Sequence, residues 1–219
     1  MLEGFKINCY PLNRTIRISV HLPKDYNSTT RFYPVFYFLD GQNMYSDQDS
    51  FRGVSLDLET TIQQLSDSGK DAIYIGIAAA NNPLMRDEEY KNTKLANFIL
   101  NSIHPYLASR YRFNTFIYAV ACSDASYTAL ALAKDELFKG VCLISPVLHF
   151  NLISDDIFPN NKLYYIYCGE KELSSSVKEN ALKLKEKLPD AHMMIDKNEI
   201  HNECSWKNIL FDALNYFVL

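Results

Sequence analysis

Five stretches of this chain are apolar from end to end and no longer than a strand: residues 33–39, 72–77, 116–120, 141–144 and 163–167. They are rich in β-branched and aromatic side chains, and each gives way to small or polar residues. A strand that is apolar on both faces has to be covered on both faces, as in a parallel sheet lying between two layers of helices. The sequence between the runs supplies such helices. Leu95, Phe98, Ile99, Ile103 and Tyr106 fall on one helical face, as do Trp206, Ile209, Leu210, Ala213 and Phe217. Residues 55–65 and 174–188 also have amphipathic spacing. The earlier segments 5–9 and 15–22 are of another kind. The second alternates Ile16, Ile18 and Val20 with Arg17, Ser19 and His21, the pattern of a half-exposed, antiparallel strand. A shorter last strand is expected at 192–195. Strands and helices alternate over 219 residues with no linker or shift in composition. The expected fold is one α/β domain over residues 1–219, with a doubly wound, mostly parallel sheet and antiparallel N-terminal strands.

Charge and cysteine usage narrow the range of partners. The net charge is −4 and no basic stripe is present, which disfavours nucleic acid and anionic membranes. No apolar stretch is long enough to span a bilayer, and the first residues lack the basic-then-apolar form of a signal peptide. The five cysteines, Cys9, Cys122, Cys142, Cys168 and Cys204, show no C-x-x-C spacing. An odd count without a secretion signal points to the reducing cytoplasm. Self-association as a homodimer is left open.

In open α/β sheets, ligands bind at the carboxyl ends of the strands. The polar residues just beyond the runs are Asp40, Gln42 and Asn43, then Arg86, Glu89 and Tyr90, then Ser123, Ser145, Glu170, Glu172 and His201. The run before Ser123 ends in small residues and a helical pattern begins at once, which is the form of a nucleophile elbow. The usual formula is G-x-S-x-G; here it reads Ala121-Cys122-Ser123-Asp124-Ala125. Cys122 and Ser126 are weaker nucleophile candidates because their flanking residues are too large for so tight a turn. Ser123, an acid and then His201 match the chain order of α/β-hydrolase triads. A serine hydroxyl attacks only when a neutral imidazole accepts its proton, and the imidazole needs a carboxylate to fix its tautomer. At this level the acid is either Glu170 or Glu172. His201 with Cys204 is too few ligands to suggest a metal.

Over nearly its whole length the chain resembles the esterases related to enterochelin esterase and S-formylglutathione hydrolase, within the α/β-hydrolases. The resemblance rests on residues 17–23 with Asp25-Tyr26, on Phe38-Leu39-Asp40-Gly41-Gln42-Asn43, and on Ile75-Gly76-Ile77 followed by Arg86 and Glu89-Tyr90. It continues through Tyr111-Arg112, the elbow, Ser145-Pro146, Gly169-Glu170-Lys171-Glu172 and His201-Asn202-Glu203 with Trp206. It implies an α/β-hydrolase fold without a large cap, and Glu172 as the acid. The family elbow usually reads G-x-S-x-G-G, whereas this chain has Ala121, Ala125 and Ser126, with Asp124 directly after the serine.

The expected activity is a cytoplasmic serine esterase that cleaves a small-molecule carboxylic ester or thioester through Ser123, His201 and Glu172, without cofactor or metal. The backbone N–H groups of Gln42 and Asp124 are the expected oxyanion donors, and Asp40, Asn43, Arg86 and Trp206 the expected substrate contacts. A carboxylate on Asp124 would oppose the developing oxyanion and slow the enzyme. The alternatives are a degenerate hydrolase fold that binds without turnover, and an acyltransferase to an alcohol acceptor.

Overall fold

Strands β1 (Leu2–Cys9) and β2 (Arg14–His21) open the chain as an antiparallel hairpin, turned by Asn13 in the left-handed region at φ 49°. The computed structural model describes residues 1–154, 157–172 and 174–218. In it β3 (Tyr33–Leu39), β4 (Ile73–Ile77), β5 (Phe113–Cys122), β6 (Gly140–Ile144), β7 (Leu163–Gly169) and β8 (His192–Asp196) complete one eight-stranded sheet. Its order is β1-β2-β4-β3-β5-β6-β7-β8. β2 pairs with β4 antiparallel, and every pairing from β4 to β8 is parallel. This is the mostly parallel sheet with antiparallel N-terminal strands that the sequence predicts.

The apolar runs divide their side chains between two cores because successive residues of a strand point to opposite faces. Val35, Tyr37 and Leu39 of β3 join Ile117, Ala119 and Ala121 of β5 on one face. Phe36 and Phe38 join Tyr118, Val120 and Cys122 on the other. The first face is covered by a helix in three parts, α3 (Lys94–Phe98), a π-helical turn at Ile99–Ile103 and α4 (His104–Ala108), together with α5 (Ser126–Ala133) and α6 (Ser175–Lys187). The second is covered by α1 (Leu58–Asp67) and α7 (Glu203–Asn215).

Two expectations about helices need correction. The helix expected at 55–65 starts at Leu58, because Asp57 takes a left-handed φ of 46° and the three residues before it are not helical. Residues 83–91, expected only as a source of polar groups, form α2 (Pro83–Lys91). Its start does carry a sequence signature: Pro83 opens the first turn, and the Asn82 side chain accepts the N–H groups of Leu84 and Met85. No helix among the described residues is long and apolar enough to cross a membrane.

The carboxyl ends of the strands are fixed by close packing. A Cβ on Gly41, just after β3, would lie 2.4 Å from the backbone of Gly76 in β4. One on Gly169, the last residue of β7, would lie 2.2 Å from the carbonyl oxygen of Glu199. Only glycine permits either approach. The first holds the turn carrying Gln42 against β4, and the second holds the loop leading to His201 against β7.

Candidate active site

At the end of β5 the chain reverses within one residue. Cys122 is still extended, Ser123 has φ +58°, and α5 begins at Ser126. A non-glycine residue in this region is strained and turns its side chain out of the sheet. Ala121 and Ala125, standing where the usual formula has glycine, are both buried. Cys122 lies in the second core, where burial pushes its thiol well above the ordinary value. Ser126 is fully buried.

Ser123 Oγ lies 3.0 Å from Nε2 of His201, and Nδ1 of the same ring lies 2.7 Å from Oε2 of Glu172. These residues leave the ends of β5, β8 and β7 respectively, so the sheet brings together positions far apart in sequence. Glu172 is held from behind. Its Oε1 accepts the Gly169 N–H at 2.8 Å and the Ser145 hydroxyl at 2.6 Å. Ser145, at the end of β6 with φ 47°, in turn accepts the indole N–H of Trp206 at 2.9 Å. Burial resists ionisation of Glu172, but the hydrogen bonds from His201, Ser145 and Gly169 outweigh it and hold the carboxyl below its ordinary value. The Trp206 ring meets His201 edge-on, with centroids 5.0 Å apart. Asn202 begins α7 by accepting the Ser205 N–H at 2.9 Å, which anchors the segment that carries His201. Glu170 points elsewhere, pairing with Lys178 near the surface.

A second group of residues lies on the other side of Ser123. Asp40, at φ 57° after β3, faces Arg86 of α2 through two contacts, Nε to Oδ1 at 2.8 Å and Nη2 to Oδ2 at 2.5 Å. The Asp40 N–H donates to the Tyr90 hydroxyl at 3.0 Å, and the Arg86 guanidinium lies 4.9 Å from the Tyr90 ring centroid. Burial disfavours the charge on Arg86, but Asp40 and Asp124 more than offset this. Asp124 Oδ2 lies 3.3 Å from Nη1 of Arg86. The carboxylate expected to oppose an oxyanion is therefore paired with a cation.

The Gln42 side chain bridges the turn. It donates to Asp40 at 3.1 Å and accepts the Ala79 N–H at 3.0 Å. The Gln42 and Asp124 N–H groups both lie in the first turn of one-turn 3-10 helices, Gly41–Asn43 and Ser123–Ala125, where N–H groups have no intrahelical acceptor. Asn43 turns inward, and its Oδ1 accepts the Phe51 N–H at 2.9 Å and the Ser50 hydroxyl at 3.2 Å. Of the four expected substrate contacts, Asp40 and Arg86 hold each other, Asn43 holds its own loop and Trp206 holds Ser145. Sequence reasoning misses the bridging position of Ser145, since its partners lie 27 and 61 residues away. Its place directly after an apolar run is the available signal. Among the described residues, no group of three or more His, Cys, Asp or Glu side chains is arranged to hold a metal.

Known proteins match this chain in family and in fold. The family model described as "Putative esterase" matches residues 10–208. An IroE-like serine hydrolase from Shewanella oneidensis superposes with a TM-score of 0.82 at 18% identity, over 100% of this chain and 80% of that one. A ferulic acid esterase gives 0.80 at 14% identity, over 100% and 97%. Enterochelin esterase from Shigella flexneri gives 0.77 at 16% identity, over 99% of this chain and 57% of that one. No curated protein matches by sequence.

Proposed function

The chain belongs to that esterase family, and on this premise we propose that it is a serine esterase in which Ser123 is the nucleophile, His201 the base and Glu172 the acid that orients it. The observation that carries the reading is the unbroken line of hydrogen bonds from Ser123 through His201 to Glu172, at 3.0 and 2.7 Å.

The roles depend on where the protons sit. Glu172 is an acceptor towards His201, so the imidazole carries its proton on Nδ1 and turns a lone pair on Nε2 towards Ser123. Ser123 Oγ attacks the ester carbonyl as its proton passes to Nε2. The tetrahedral intermediate collapses, the C–O bond breaks, and His201 returns the proton to the leaving alcohol. Water then attacks the acyl-serine by the same proton path and releases the acid. Glu172, held by Ser145 and Gly169, stabilises the imidazolium at both stages. The Gln42 and Asp124 N–H groups are the oxyanion donors in this reading. The substrate is a small-molecule ester, the class that the names of the ferulic acid and enterochelin esterases give for those proteins.

Labelling with a fluorophosphonate tests the assignment. Mass spectrometry should place the adduct on Ser123, and Ser123→Ala should lose about 10⁶-fold in kcat on an activated short-chain ester. An adduct on Ser126 or Ser145 would overturn the nucleophile. Unlabelled, inactive protein would favour a fold that binds without turnover.

A further inference from the structure

The side chains of Asp40, Arg86 and Asp124 cluster beside Ser123 yet take no step in the proposed reaction, and their charges do not balance. One guanidinium serves two carboxylates, reaching both oxygens of Asp40 and one of Asp124. One negative charge is left over. Access to the three side chains is unequal: Asp40 is 5% exposed, Arg86 14% and Asp124 25%. The cation is thus committed to the protein's own acids, and the member most open to an arriving molecule is Asp124. The cations on the neighbouring elements are Arg52, which is exposed and follows Phe51, whose ring lies 5.9 Å from the Arg86 guanidinium, and Lys91. On α2, Lys91 is matched by Asp87 at 2.7 Å. From the first turn of α7, buried Glu203 adds a further acid within electrostatic reach of Cys122.

We infer that Asp124 determines the charge specificity of the site, which accepts neutral and cationic esters and rejects esters bearing a carboxylate or phosphate near the scissile bond. The inference rests on the esterase reading, because that reading places the substrate carbonyl at Ser123 Oγ, one residue from Asp124. Two unit charges about 7 Å apart at an effective dielectric of about 40 shift affinity roughly tenfold. With Asp124 partly open to water, high salt weakens the discrimination.

The test uses three activated esters with the same acyl chain, ending in methyl, trimethylammonium or carboxylate. The kcat/KM of each is measured for wild type and for Asp124→Asn, which keeps the size of the side chain and an oxygen facing Arg86. The quantity read is the cationic-to-anionic ratio, from which any effect of the substitution on the turn itself cancels. Wild type should favour the cationic ester, and the ratio should fall by about 100-fold in the variant, roughly tenfold for each substrate charge. The fall should shrink in 1 M salt. An unchanged ratio, or a wild type that prefers the anionic ester, overturns the inference. If no ester is turned over, the esterase reading fails and binding decides the charge inference instead. Butyltrimethylammonium shifting the amide resonances of residues 122–125 in wild type more than butyrate does, with the contrast lost in Asp124→Asn, sustains it. Equal responses to the two ions overturn it.

Discussion

The two flanks of Ser123 are built on opposite principles. Towards β7 and β8 the chain lays hydrogen bonds end to end, with Trp206 donating to Ser145, Ser145 to Glu172, and Glu172 facing His201. Ser145 accepts from one neighbour and donates to the next, and a single acid, Glu172, serves the whole line. Towards β3 and α2 the chain sets full charges against each other, with Arg86 between Asp40 and Asp124. A line of hydrogen bonds fixes the direction in which a proton can move. An ion-pair cluster cannot do that, but it ties α2 to the turn after β3 and to the elbow, and it sets the field that a substrate meets. The first flank suits proton transfer, and the second suits anchoring and selection.

Substitutions on the two flanks should therefore fail differently. The largest effect belongs to Glu172→Gln, which should lower kcat by up to about 10⁴-fold, the scale for neutralising a triad acid with its geometry kept. The same variant tests the linkage. Because the Glu172 carboxyl is held below its ordinary value in the fold, its contribution to stability is complete above the ordinary carboxylate range and is lost as pH falls through the lowered value. The Tm gap between wild type and Glu172→Gln should therefore narrow in acid. A gap that widens would contradict the account of the hydrogen bonds that hold it.

Next is Arg86→Met, which leaves Asp40 buried beside no cation. Breaking a buried pair in this way costs about 3–5 kcal/mol, read as a fall in the denaturant midpoint. A loss below about 1 kcal/mol would show that the cluster anchors nothing. Ser145→Ala ranks third. It strips one of three hydrogen bonds from Glu172 and leaves the Trp206 N–H unpaired, which should cost about 1–3 kcal/mol of stability. It should also lower kcat roughly tenfold with KM little changed. If KM rises instead, Ser145 belongs to substrate binding. Glu170→Gln should do least, since its partner Lys178 lies near the surface and such pairs contribute about 1 kcal/mol or less. A loss as large as that of Glu172→Gln would move the acid to Glu170.

Much of this is legible in the sequence because it is written locally. A run such as residues 33–39 carries its own statement of being covered on both faces, and all five runs lie within strands of the sheet or extend them by one residue. The spacing of small residues around Ser123, and the place of His201 just before an amphipathic helix, are also local. Partnerships are another matter. Nothing near Asp124 marks Arg86 as its partner 38 residues earlier, and Arg86 reaches it from α2, a helix without a marked apolar face. Trp206 has the look of a substrate contact because an indole near a histidine often lines a pocket. Its N–H proves to be taken by a serine 61 residues away. Apolar patterning specifies which side of a strand is buried. It says little about which polar atoms meet at the end of the sheet, since that depends on register between strands distant in sequence.

The position of β8 has a consequence for how activity is lost. It is the last strand of the sheet, pairs only with β7, and none of its residues is fully buried. Edge elements with few buried contacts open at lower free energy than the core they flank. Opening here would loosen the loop that leads to His201, while Asn202 and α7 hold that residue from its other side and Ser123, at the end of a central strand, keeps its strained turn. Under the esterase reading, such a state would be folded in nearly every respect yet less able to draw the proton from Ser123. The close packing of Gly169 against Glu199 works against that opening, which ties the durability of such an activity to the sheet's edge as well as to its core.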